Sequence, residues 1–131
     1  MDTNVIILYG GLDQRELPED IAVSAVTLAE LSAGPHHTDD PVERAVRIRR
    51  LQDTEAAFEA IPFDTQAART YGLLVAAVIA AGGKPRGRTA DLMIASIAAA
   101  NRLPLYTTNP ADFAGLERLI QIRPVTHPDQ R

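Results

Sequence analysis

A chain of 131 residues has room for one domain with a real hydrophobic core, and it needs no disulfide or metal staple to hold it. The absence of cysteine excludes disulfides, thiolate zinc sites and cysteine nucleophiles, and fits a cytoplasmic location. A net charge of −4 argues against tight nonspecific nucleic-acid binding, no basic-then-apolar leader opens the sequence, and no apolar run is long enough to span a membrane.

Strand-like and helix-like segments alternate along the chain. Thr3 to Tyr9 is short and apolar, and periodicity alone allows it to be helix or strand; Gly10-Gly11 breaks it. Ile21 to Ser24 reads as a short strand. Ala25 to Ala33 has helical spacing and meets a stop at Gly34-Pro35. Asp40-Pro41 opens a long amphipathic helix to about Phe58, with Pro41 suited to the first turn. Ile61 to Phe63 is a short strand, and Asp64 caps a helix that reaches Ala81 and ends at Gly82-Gly83. After the basic loop Lys84 to Arg88 come an alanine-rich helix from Asp91 to Asn101 and a strand from Leu103 to Thr107. Asn109-Pro110 begins a short helical turn, Ile120 to Val125 is a last strand, and the tail beyond about 125 is expected to fray. Such alternation predicts an α/β fold with a mainly parallel sheet, in which ligands bind at the carboxyl ends of strands.

Four acids stand at the edges of apolar segments instead of within charged runs: Asp2, Glu30, Asp91 and Asp112. Acids at the ends of buried elements can converge, and converging carboxylates need a cation. That pattern points to hard-metal chemistry on an anionic substrate. Each acid also has a simpler reading. Asp2 is at a terminus, Glu30 could face solvent beside Thr27, Asp91 suits the first turn of a helix, and Asp112 could cap the turn that Asn109 opens. Among the cations, Lys84 is the only lysine. Arginines cluster at Arg44, Arg47, Arg49 and Arg50, which read as a solvated helix face or as a phosphate-contacting rim, and again at Arg86 and Arg88.

The order and context of these acids resemble the PIN-domain ribonucleases, and within them the VapC-type toxins of bacterial toxin–antitoxin pairs. The resemblance is carried by DTNVI at Asp2, SAVTLAELSAG around Glu30, IPFDTQAARTYG from Ile61, DLMIASIAAANRLPLYTTNPADFAGL from Asp91, and the terminal IQI. It covers nearly the whole chain and implies a single three-layer α/β/α domain spanning residues 1–131, with a central, mainly parallel sheet. It further implies that Asp2, Glu30, Asp91 and Asp112 meet at one end of that sheet. There Asp2, Asp91 and Asp112 would ligate Mg²⁺ or Mn²⁺, Glu30 would position the attacking water or take its proton, Thr3 or Asn4 would orient Asp2, and Asn109 would match the family's polar residue beside the fourth acid. Arg86 and Arg88 are candidate RNA contacts. The implied partners are an RNA substrate, a cognate VapB-type antitoxin whose C-terminal segment would block the acids, and a second copy of the chain. The helices 25–33 and 42–58 are candidates for the antitoxin groove and the homodimer face, or else ordinary core.

Two departures from the family pattern stand out. Only Met1 precedes Asp2 where relatives carry an apolar strand, so the true start is expected upstream. TTN also replaces a TRN-like pattern, which removes an arginine at Thr108. Two other readings compete. A phosphorylation-receiver domain needs a lysine after its last-but-one strand, and Lys84 lies instead before the Asp91 helix. A catalytically impaired RNA- or protein-binding module on the same fold is the second.

Overall fold

Short parallel strand pairs with helices packed against them make up the described part of the chain, residues 12–17 and 21–130 of a computed structural model. Strand β1 (Val23–Ser24) runs directly into helix α1 (Ala25–Ala33). Ser24 makes the junction: its backbone is extended, and its Oγ accepts the Thr27 N–H at 3.0 Å, which satisfies one of the first-turn donors. The expected stop at Gly34-Pro35 takes another form. Gly34 stays right-handed and the chain tightens into a 3-10 turn (Gly34–His37), since Pro35 has no N–H to continue the α-helical ladder.

Helix α2 (Pro41–Ala57) starts as the sequence predicts, with Asp40 accepting the Val42 N–H at 3.0 Å and Pro41 in the first turn. Its apolar face is thin. Only Thr54 is buried, while Leu51 and the following Phe58 are half-buried against Val23 and Leu31. Strand β2 (Ala60–Ile61) then pairs in parallel with β1, Val23 opposite Ala60 and Ser24 opposite Ile61. Helix α3 (Thr65–Ala80) is capped by Asp64, which accepts the Ala67 N–H at 2.9 Å, and it is closed by Gly82 at φ +83°.

Helix α4 (Thr89–Ala100) is the most buried element, with Leu92 and the run Ile94 to Ala98 inside. The buried Ser96 hydroxyl is satisfied by donating to the Leu92 carbonyl at 2.6 Å. Strand β3 (Leu105–Thr107) leads into a 3-10 turn (Pro110–Phe113), and β4 (Ile122–Pro124) pairs with β3 in parallel. The expected parallel pairing is therefore observed. Among the described residues, however, the strands form two two-stranded sheets and no continuous central one.

Each sheet has its own core. Under β3 and β4, α3 and α4 bring together Leu74, Val78, Leu92, Ala95, Leu105 and Phe113. Under β1 and β2, α1 and α2 enclose Val23 and Leu31. The tail expected to fray is tied at its root: Val125 is buried against Leu12, and the Thr126 N–H and hydroxyl both donate to the Glu16 carboxylate at 2.8 and 3.1 Å.

Candidate active site

Helix α1, the first turn of α4 and the turn after β3 carry the described acids. At the end of β1, Ser24, Thr27 and Glu30 follow at three-residue spacing, each step turning further round α1 from the buried Ser24 and Thr27 to the exposed Glu30. The Ser24 hydroxyl donates to Thr27 Oγ1 at 3.2 Å, and both residues are buried. Glu30 itself is exposed. Of the residues in α1 only Thr27 and Leu31 are buried, so the expectation of a mostly buried helix around Glu30 gives way to a helix with a single inward stripe.

Asp91 is half-buried in the first turn of α4, where no side chain caps the helix and the exposed N–H groups favour a negative charge. Asn109 and Asp112 follow β3. Thr107, fully buried, accepts the Asn109 N–H on its Oγ1 at 3.0 Å, and the Asp112 N–H donates to the Asn109 carbonyl at 3.1 Å. These two bonds fold the turn that carries Asp112. The Asn109 side chain is exposed and makes no capping hydrogen bond. Asp112 is half-buried and forms no ion pair or side-chain hydrogen bond with a described residue.

Helix α1 packs on α4, and α4 packs on the 110–113 turn, so Glu30, Asp91 and Asp112 lie on successive neighbouring elements. Asp2 and Asn4 lie outside the described residues, as does the segment from Thr3 to Gly11. Among the described residues alone, no three potential ligands close into a metal cluster. The chemistry of the set still fits a hard cation. Its members are oxygen donors, and a half-buried carboxylate without a partner among the described residues, as at Asp112, keeps its lone pairs for an ion.

The two arginine groups part company. Arg44 donates to the carbonyls of Pro35 and Thr38, and Arg47 donates to the Gly34 carbonyl at 2.8 Å while pairing with Glu43 at 3.0 Å. Arg49 pairs with Asp53. This group staples α2 to the 34–37 turn, which answers the choice between solvated face and phosphate rim with a structural task for Arg44 and Arg47. Arg86 is exposed and Arg88 half-buried just before α4, and neither forms an ion pair with a described residue. The residues that sequence reasoning missed are the buried hydroxyls Ser24, Thr27 and Thr107. Their signal was present in the S-x-x-T-x-x-E spacing and in the threonine just ahead of Asn109-Pro110.

Comparison with known proteins identifies the family. A family model described as PIN domain matches residues 1–119. The chain is 36% identical over 120 residues to Ribonuclease VapC5 of Mycobacterium tuberculosis, across 89% of this chain and 86% of that one. Among solved structures it resembles VapBC-5 of the VapBC toxin–antitoxin family, also from M. tuberculosis, with a TM-score of 0.81 at 34% identity, covering 95% and 94% of the two chains. DNA-bound VapBC from Salmonella typhimurium gives a TM-score of 0.68 at 26% identity, covering 93% and 92%. With the family model spanning most of its length and a relative this similar, the chain belongs to the PIN domain family.

Proposed function

We propose that this protein is a single-domain, divalent-metal-dependent endoribonuclease that acts in the cytoplasm as the toxin of a toxin–antitoxin pair. The observation that carries the reading is the succession of α1, α4 and the 110–113 turn as packed neighbours, each bearing an acid of the family pattern. The similarity to Ribonuclease VapC5 supports the reaction class, and that to VapBC-5 supports a VapB-type antitoxin as partner.

In this reading Asp91 and Asp112, with Asp2, hold Mg²⁺ or Mn²⁺. When bound, the ion offsets the charge that develops on the phosphate and makes water more acidic. Glu30, on the exposed face of its helix, orients the attacking water and takes its proton. Thr107 holds the turn that aims Asp112, while Asn109, with Asn4, orients the acids. Arg86 and Arg88, free of ion pairs among the described residues, contact the RNA backbone ahead of the site. Val42 and Val46, exposed one turn apart on α2, offer an apolar stripe for the antitoxin or a second copy.

The test is cleavage of defined RNAs by the purified chain with and without Mg²⁺ or Mn²⁺, beside an Asp91→Asn variant. Metal-dependent cleavage that disappears in the variant is expected. Cleavage that survives both EDTA and the substitution overturns the mechanism, and no cleavage under any metal overturns the enzyme. The toxin role is checked separately by growth arrest on expression and its relief by the neighbouring gene.

A further inference from the structure

The C-terminal end of α4 breaks a local rule. It closes in a Schellman motif, in which the Leu103 N–H donates to the Ala98 carbonyl at 2.9 Å and the Arg102 N–H to the Ala99 carbonyl at 3.1 Å. The motif holds residue 102 in the left-handed region, at φ 56°, where glycine is the relaxed choice. Arg102 is the one non-glycine residue with a positive φ among the described residues. A side chain kept at such a position calls for a task. Capping is not that task. The Asn101 amide donates to the Ile97 carbonyl at 2.7 Å, so the carbonyls of Ile97, Ala98 and Ala99 are all answered without the Arg102 guanidinium.

A second arginine stands at the same end of the domain. Strands β3 and β4 are parallel, with Leu105 opposite Ile122, so the chain enters both from one side. Arg102 and Arg118 lie three and four residues ahead of that pair. Both are exposed, and neither forms an ion pair or a side-chain hydrogen bond with a described residue. The one acid in the segments leading into the two strands is Glu117, and its carboxylate accepts the Gly115 N–H at 3.0 and 3.2 Å within its own loop. Asp91 and Asp112 lie at the other end, in the first turn of α4 and in the turn after β3. The 12 residues of α4 set about 18 Å between the two ends.

We propose that Arg102 and Arg118 form a second RNA-backbone contact, at the end of the domain away from the acids, so that the protein favours RNAs long or folded enough to touch both ends. The inference rests on the nuclease reading and adds where the substrate of that site is held. A guanidinium matches phosphate geometry, and two of them without a competing acid make a local positive patch on a chain of net charge −4. Leu103 and Leu119 beside them are exposed singly, as surface leucines commonly are, and form no docking face for a protein.

The test measures RNA binding by fluorescence anisotropy across a range of salt, in Mg²⁺ and with the full chain carrying Asp91→Asn, so that bound RNA stays intact. One RNA is a hairpin of about 30 nucleotides, and the other is a single strand of about five, too short to reach both ends. Adding Arg102→Gly and Arg118→Ala is expected to lower the log–log salt slope for the hairpin by about 1–2 and to leave that for the short strand unchanged. Arg102→Gly alone should raise the melting temperature by about 2–4 °C, which separates a lost contact from a lost fold. A hairpin slope that the two substitutions leave unchanged overturns the proposal and spares the nuclease reading. Equal falls for both RNAs also overturn it, because the arginines then act at the end that carries the acids. A lower melting temperature in Arg102→Gly assigns the residue to the helix end, with the same consequence. Polyglutamate that binds only when both arginines are present, with the hairpin slope unchanged, makes the patch a protein-docking face instead. If the chain binds neither RNA, the proposal falls together with the nuclease reading.

Discussion

At the scale of single residues, Thr107 and Asp112 separate structure from chemistry. Thr107 is fully buried and gives its Oγ1 to the Asn109 N–H. Thr107→Val keeps the shape and removes the acceptor, leaving a donor without its partner at the root of the Asp112 turn. A loss of about 1–3 kcal/mol is expected in urea unfolding, with most of it regained in Thr107→Ser. Asp112→Asn should behave in the opposite way. The carboxylate has no ion pair with a described residue, so its neutralisation is expected to change stability by no more than about 0.5 kcal/mol while abolishing RNA cleavage. A large loss of stability in Asp112→Asn would reveal a structural acid and remove it from the proposed site. Legibility at this scale followed the range of the interaction. The caps Asp40 and Asp64 act on backbone two and three residues away and could be read from the sequence. Glu30 looked buried because its sequence neighbours are apolar, yet which side of α1 faces inward is set by Val23, Leu51 and Phe58, and two of these are distant in the chain.

Elements in this molecule are held to one another by a few directed contacts that composition does not reveal. The 34–37 turn is tied to α2 by Arg44 and Arg47, so Arg47→Leu is expected to lower stability by about 1–2 kcal/mol, through the lost charged hydrogen bond to Gly34 and the lost pair with Glu43. The Arg86→Ala/Arg88→Ala pair should leave the melting temperature unchanged and reduce the salt dependence of RNA binding by a log–log slope of about 1–2. If the two sets exchanged effects, the assignment of staple and contact would be reversed. The loop after the Asp112 turn meets the end of α3 at Gly115, which sits at φ +92°, and a Cβ there would lie 3.0 Å from the Ala81 Cβ. Gly115→Ala combines left-handed backbone strain with that close approach, and a loss of at least about 1–2 kcal/mol is expected by thermal or urea denaturation. Helix boundaries were mostly legible from caps and glycines. The arginine staple was not, because a basic run has the same sequence signature whether it faces phosphate, water or a turn carbonyl.

On the scale of the whole molecule, the sequence anticipated alternating elements and parallel pairing, and among the described residues that pairing is seen in two short strand pairs. Strand order is a long-range property, and each of the described strands spans only two or three residues. The two cores, one around Val23 and Leu31 and the other around Leu74, Leu92 and Leu105, meet where α1 packs on α4. An apolar pocket of about 110 Å³, partly open to solvent, is lined by residues of β1, β3 and α4. Ala98 lines it, so Ala98→Leu, a substitution that a helix tolerates well, should fill part of the space. A gain of about 1 kcal/mol, or about 3–5 °C, is expected in thermal unfolding. An unchanged or lowered melting temperature would mean that the pocket cannot take the larger side chain without strain.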